Sequence, residues 1–464
     1  MPPVPDFDTP EQAREIISFL WNKIAELEDR LNQSSRNSSV PPSKDNPANK
    51  ARNTSPTRRK STKKQGAQQG HKGHRRERHE HDERLLVEQY LPHDICGCGG
   101  KVVPNSNPYR HHQVFDLPDV SYSVTEHQAY QGECCHCGEK HRAELPDTIS
   151  QTLMGANLLS FIALQSAEHH QSIRKIQSML NNVFGLYFSI GAISEAQARV
   201  SAMLTPTHQA IHQQVQSSPL IMADETSHQR NAEKRWMWVA LSPIAAFFQT
   251  NVFRNRDAAI RLLGKELDGI LVTDQYSSYR YIDENKRQLC WAHILRNVIA
   301  IADSVGKDNQ PIGSRLVLVA QTVFRTRHQY EAGKLTHALY YRRIKRLRSS
   351  WQALLKRGRY QCSKRYRGRC KLLLDDDVML WRFLADDSIP LTNNAAERVI
   401  RGYVVWRKCC YGVRSHRGEQ FRQRMLSLLE TAKLLRLNPY DWLKSVAHAC
   451  IEKTDYPIPK ELMG

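Results

Sequence analysis

Three acidic residues sit where phosphoryl-transfer chemistry would need them. Asp224 closes the apolar run PLIMAD, Asp274 closes the apolar run GILVTD, and both runs read as buried strands. Between them, WMWVALS and AAFFQTNVF are split by a turn at Pro243, and a helix signal spans Asp257 to Leu267. The pattern predicts three sequential antiparallel strands, a helix and a further strand. Strand-helix-strand connections favour a mixed sheet whose central strands end at one edge, so Asp224 and Asp274 are expected close together. Two such carboxylates repel and share a proton unless cations lie between them. A pair of magnesium ions roughly 3.5 to 4 Å apart removes the conflict, holds a phosphodiester and activates water or a 3′-hydroxyl. A third carboxylate must then come from a separate element. Glu397 qualifies, because Thr392 or Asn393 can cap a helix whose first turns carry it. Singly, each acid reads as well as a strand-end or capping residue; together they argue for chemistry.

A second constellation is made of thiols. Cys96-Gly-Cys98 and Cys134-Cys135-His136-Cys137 flank a stretch of strand-like alternation from Val114 to Tyr130, and each has a glycine beside it, Gly99 and Gly138. Two cysteine pairs at that separation can supply a tetrahedral thiolate shell for zinc, as in a zinc ribbon. The first pair has one intervening residue where two are usual, and the second offers three thiols for two places. Cys96, Cys98, Cys134 and Cys137 are therefore the candidate Zn2+ ligands, with buried or incidental thiols as the alternative.

Other elements must position these groups. The chain has 464 residues, 40% hydrophobic and 25% charged, which fits about three folded units of a globular protein. Lys and Arg outnumber Asp and Glu by 67 to 47, a surplus that points to a polyanion such as nucleic acid. Eleven cysteines, five of them between Cys96 and Cys137, fit reduced thiols and one metal site better than a disulfide framework. No apolar stretch is long enough for a membrane span and no secretory leader is evident, so a cytoplasmic protein with no membrane partner is expected. Ile17, Leu20, Ile24, Leu27 and Leu31 alternate at three- and four-residue steps, a leucine-zipper-like coiled coil over residues 1–33 that predicts a homo-oligomer, or a helix docked on its own chain. Residues 34–83 read as a disordered basic arm. Between Lys50 and Arg78 lie eleven Lys or Arg and one Glu, with Arg58, Arg59, Lys60, Lys63 and Lys64 the densest group, suited to neutralising DNA phosphates. Residues 84–147 form the zinc-finger-like cysteine module. A helical region over 148–215 contains helix, glycine turn, helix around Phe184-Gly185-Leu186, a helix-turn-helix-like unit or a plain helical hairpin. The acids fall in residues 216–430, which hold a helical insertion at about 299–385 with a basic face, and a helical segment closes the chain over 431–464.

The order of these blocks resembles the ribonuclease-H-like catalytic domain of DDE transposases, and nearly end to end it is similar to the transposase of the insertion-sequence-66 family. The resemblance rests on the zipper start, PPS at 41–43, QQGHKGH at 68–74, the cysteine segment, MADET around Asp224 and TDQYSSY around Asp274. It continues through QLCWAHILRN at 288–297, NNAAERVIR at 393–401 and LLETAKLLRLNPYDWL at 428–443. It implies an α/β ribonuclease-H-like mixed-sheet core with a helical insertion. Asp224, Asp274 and Glu397 would be the catalytic Mg2+ (or Mn2+) triad, and Cys290 and His293 the Cys-x-x-His element of the active-site neighbourhood. Arg398, Arg401, Arg407 and Lys408, downstream of Glu397, are candidate phosphate contacts. The usual glycine after the second aspartate is Gln275 here. The implied activity is metal-dependent cleavage at the terminal inverted repeats of an insertion sequence and joining of 3′-hydroxyl ends to target DNA. Small accessory proteins of the same element are further expected partners. The alternatives are a non-catalytic DNA-binding repressor of the same element and a ribonuclease-H-like nuclease that never joins ends.

Overall fold

Thr9 accepts a hydrogen bond from the Gln12 amide and Pro10 fits the first helical position, so helix α1 (Pro10–Leu31) starts where the coiled-coil pattern does. The structure, a computed structural model, describes residues 9–38, 87–108, 110–114 and 122–463. The chain divides into two compact units, residues 1–53 with 125–464, and residues 54–124. No residue of α1 is buried; even Leu20 and Leu27 of the apolar seam remain 48% and 47% exposed. Near the end of the helix the Tyr366 hydroxyl donates to Asp29 at 3.0 Å. The basic arm with Arg58, Arg59, Lys60, Lys63 and Lys64, like the PPS and QQGHKGH segments, lies outside the described residues.

In the 54–124 unit, Cys96 N–H donates to the Gly100 carbonyl and Gly99 N–H to Cys96, both at 2.8 Å, with Gly99 at φ +86°. In the larger unit, strands β1 (Gln131–Glu133) and β2 (Lys140–Arg142) form a hairpin closed by Cys134 N–H to Glu139 and Gly138 N–H to Cys134, both 2.8 Å. The strand expected over Val114 to Tyr130 begins only at Gln131: the described residues Tyr122 to Tyr130 are exposed, and Tyr130 meets the hairpin only through its carbonyl, which accepts the Ala143 amide at 2.9 Å, so their alternation has no core face to serve.

Helices α2 (Ala156–Ala167), α3 (Ile173–Phe184), α4 (Ile190–Met203) and α5 (Thr205–Gln216) lead into the sheet. Ser172 and Ser189 cap α3 and α4, and Gly185 ends α3 in the left-handed conformation, as the helix, glycine turn, helix reading expects. Ile176, Leu180, Ile193 and Val200 pack into the same core as the sheet.

The sheet has five strands, β3 (Leu220–Arg230), β4 (Glu233–Leu241), β5 (Ala246–Asn251), β6 (Ile270–Thr273) and β7 (Arg287–Leu289), in the order β5-β4-β3-β6-β7. The first three are antiparallel and β6 and β7 run parallel to β3, the mixed arrangement the sequence predicts. Helix α6 (Arg256–Leu263) makes the crossover to β6. Gly269 permits the close pairing that follows, since a Cβ there would collide with the Ser218 and Pro219 backbone. After β7 come α7 (Trp291–Ala302), α8 (Asn309–Glu331), α9 (His337–Gln361), α10 (Lys364–Asp375) and the short α11 (Asp377–Leu380). They enclose a second hydrophobic core reaching from Leu289 to Leu391, wider than the expected 299–385, because α7 belongs to it. Trp291 lies between Trp351 and Trp381, with ring centroids 5.3 and 4.9 Å away. Arg342, Arg343, Lys345, Arg346, Lys356 and Arg357 of α9 are exposed, and no acid occurs between His337 and Leu374.

The chain returns to the sheet with α12 (Asn394–Cys410), α13 (His416–Leu435) and α14 (Pro439–Glu452). Helix α13 crosses the expected boundary at 430 and lies along the edge strand β5. There Gln423, Ser427 and Thr431 accept the amides of Thr250, Phe248 and Ala246 at 3.0, 2.9 and 3.0 Å. Four-residue steps on the helix meet two-residue steps on the strand, and the edge is satisfied without a sixth strand. Among the described residues no helix is long and apolar enough to cross a membrane.

Candidate active site

The parallel pairing of β3 with β6 ends at Met222↔Val272, two residues short of Asp224 and Asp274, and the two acids lie near enough for the Asp274 charge to act on the Asp224 carboxyl. The strands do not both end there, contrary to expectation. β6 stops at Thr273, whereas β3 runs on to Arg230, paired with β4 throughout and bridged to Val413 at Arg230, so Asp224 is a mid-strand residue. Burial, the adjoining Glu225, and then Asp274 and Glu397 push the Asp224 carboxyl well above its ordinary range. Asp274 accepts the Tyr276 amide at 2.9 Å, which starts the 3-10 turn Ser277–Tyr279.

Glu397 arrives in the first turn of α12. Asn393 occupies the N-cap position, but its side chain does not cap; it donates to the Ala223 carbonyl at 2.8 Å and so ties the helix start to the residue preceding Asp224. The Asn393 amide donates to Cys290 Sγ at 3.2 Å, and the Cys290 amide to the Thr273 carbonyl at 2.8 Å. Cys290 is thus a buried junction between β6, α7 and α12. His293 Nδ1 and Arg296 Nη2 each lie 3.7 Å from Glu397 Oε1. Arg401, one turn beyond Glu397, makes no ion pair with it among the described residues.

The sequence reading missed a group beneath these acids. Glu225 points to the opposite side of β3 from Asp224, and its buried carboxylate receives Arg254 Nε at 2.6 Å and the Tyr279 hydroxyl at 2.6 Å. Arg254 stacks 3.6 Å from the Tyr276 ring centroid and brings Nη2 within 3.8 Å of Asp274. Burial and the Asp274 charge raise the Glu225 pKa despite Arg254, and burial raises that of Tyr279 well above its usual value. The only local signal for this cluster was the second acid in MADET.

Gln275, which stands where the resemblance has glycine, links elements through its side chain: it donates to Asp376 at 2.8 Å and accepts from Asn297 at 2.7 Å. Of the candidate phosphate contacts, Arg398, Arg401 and Lys408 are exposed on α12. Arg407 is engaged internally, donating to Thr226 Oγ1, to the Ser227 carbonyl and to Ser227 Oγ at 2.8 Å, so its charge holds α12 to β3. In the cysteine module the Cys98 thiol is lowered by the Gly100 amide and by Cys96. The Cys134 thiol is lowered by the Cys137 and His136 amides and by the Cys137 thiol.

The carboxylate set suits hard divalent cations: burial and the charges of Glu225, Asp274 and Glu397 raise the Asp224 carboxyl, and Glu397 Oε1 is buried without a hydrogen-bond partner.

Comparison with known proteins bears on this region. The chain is similar to an uncharacterized protein, y4hP, of Sinorhizobium fredii (strain NBRC 101917 / NGR234), with 23% identity covering 78% of this chain and 71% of the relative. Residues 2–77 match a family of unknown function, DUF6444. The sequence model of the IS66 transposase family matches residues 151–421. That span is more than half of the chain and takes in α2 to α5, the sheet, the insertion and all three acids. The N-terminal modules lie outside it, so it is the sheet and the helices around it that assign the chain to the IS66 transposase family.

Proposed function

We propose that the chain is a DNA transposase that cuts at the ends of its element by metal-assisted hydrolysis and joins the freed 3′-hydroxyls to target DNA. The observation that carries this reading is that the charges of Asp274, at the end of β6, and Glu397, on α12, both help to raise the carboxyl of Asp224 on β3. These three residues would hold the divalent ions. Bound there, Mg2+ or Mn2+ would polarise the scissile phosphate and lower the pKa of the attacking water or hydroxyl. The protein's own part is preorganisation. Asn393 fixes the start of α12 on Ala223, and the Tyr276 amide and Arg254 orient Asp274. Exposed Arg398, Arg401 and Lys408 supply phosphate contacts beside the site, and the basic arm adds sequence-independent affinity. The exposed apolar seam of α1 supports self-association through a coiled coil. In the sequence, the glycine-flanked thiol pairs Cys96/Cys98 and Cys134/Cys137 suggest a structural Zn2+.

Substituting Asp224→Asn tests the reading. Cleavage and strand transfer should fall by several orders of magnitude while affinity for terminal-repeat DNA survives; a DNA-binding repressor would show no activity to lose. Precut end DNA incubated with the protein, Mg2+ and a plasmid should give joined products, which a plain nuclease would not.

A further inference from the structure

At the junction of α7 and α12, three different donor types meet away from the two aspartates. Cys290 precedes the first turn of α7, His293 follows three residues later on the same face, and Glu397 comes from α12. One donor atom of each, sulfur, nitrogen and oxygen, lies within 4.8 Å of the others. With ion-ligand distances of about 2.0 to 2.3 Å, ligands around tetrahedral zinc sit roughly 3.5 Å apart. His293 Nδ1 and Glu397 Oε1, at 3.7 Å, already have that separation. Both atoms are buried and lack a hydrogen-bond partner, which is costly unless something else satisfies them. Cys290 Sγ already accepts one amide, from Asn393, an interaction that also favours a metal-bound thiolate.

We propose that Cys290, His293 and Glu397 form a site for one zinc-class divalent cation, which ties the first helix of the insertion to the helix carrying Glu397. A mixed sulfur, nitrogen and oxygen set suits Zn2+ or Co2+ and is poor for Mg2+, which prefers oxygen throughout. The thiol proton leaves to solvent on binding. Arg296, 32% exposed and 3.7 Å from the same Glu397 oxygen, is the cation that ordinarily balances it and has solvent to swing into. The fourth position is open to water. A carboxylate can bridge two cations, so the second Glu397 oxygen stays free for the aspartates. This site stands independently of the phosphoryl-transfer reading.

The test is titration of the reduced, EDTA-treated full chain with Co2+, read by thiolate-to-cobalt absorption and by equivalents bound. Wild type should bind one equivalent more than Cys290→Ser and one more than His293→Ala, with the thiols of the cysteine module contributing equally to all. Asp224→Asn should keep the Cys290-dependent thiolate-to-cobalt absorption, whatever it loses at the aspartates. Equal stoichiometry in wild type and His293→Ala would overturn the proposal, and this variant decides should the buried Cys290→Ser fail to fold. Loss of that absorption in Asp224→Asn would also overturn it. No outcome reads strand transfer, so failure here and failure of the transposase reading remain separable.

Discussion

Asp224 carries the site's electrostatic tension. Its folded pKa stands well above the ordinary 3.8, so the folded chain keeps a proton over a range where the unfolded chain has lost it. The stability this contributes is fully present below the ordinary value and is lost as pH rises through the raised one. In EDTA, Tm should therefore fall across that window. Mg2+ favours the ionised form and should flatten the slope, and Asp224→Asn should flatten it too, leaving the share of Glu225, which is raised in the same sense. An identical slope for wild type and Asp224→Asn in thermal scans would count against this account. Arg254 carries the opposite charge. Arg254→Ala leaves Glu225 buried with only the Tyr279 hydroxyl, and urea unfolding should show a loss of about 3 kcal/mol, the low end for breaking a buried pair. Glu225→Gln in the same chain should recover much of it.

Among the elements, those with a local signature were legible. Apolar runs gave β3 and β6, and three- and four-residue spacing gave α1 and the helix, glycine turn, helix unit. The full length of β3 was not, because DETSHQR is polar and becomes a strand only by pairing with β4 through the two-residue Asn231-Ala232 turn, both at positive φ. Nor could spacing reveal that Asn393 would hold Ala223 or that Arg407 would hold β3, contacts across 170 and 180 residues of chain. Helix α1 is the converse case, legible in pattern while its apolar seam stays exposed. Replacing Leu20 and Leu27 with Lys should abolish self-association in sedimentation velocity while shifting stability by no more than about 0.5 kcal/mol. A coupled loss of Tm would mean that the helix docks on its own chain instead.

The whole molecule combines two hydrophobic cores with a net charge of +20. About half of that surplus lies between Lys50 and Arg78, and the insertion adds a face free of acids. DNA affinity should fall linearly on logarithmic axes with salt, and deleting residues 50–78 should reduce the slope by about 0.9 for each phosphate contact removed. An unchanged slope in fluorescence anisotropy would take the arm out of the interface. The amides of β5 satisfied by Gln423, Ser427 and Thr431 give the molecule one further property. A polypeptide ended upstream of Gln423 would keep the sheet's sequence but bare three donors along one straight border. Each such fragment would then template the next, so premature termination would yield a polymerising species in place of a merely inactive one.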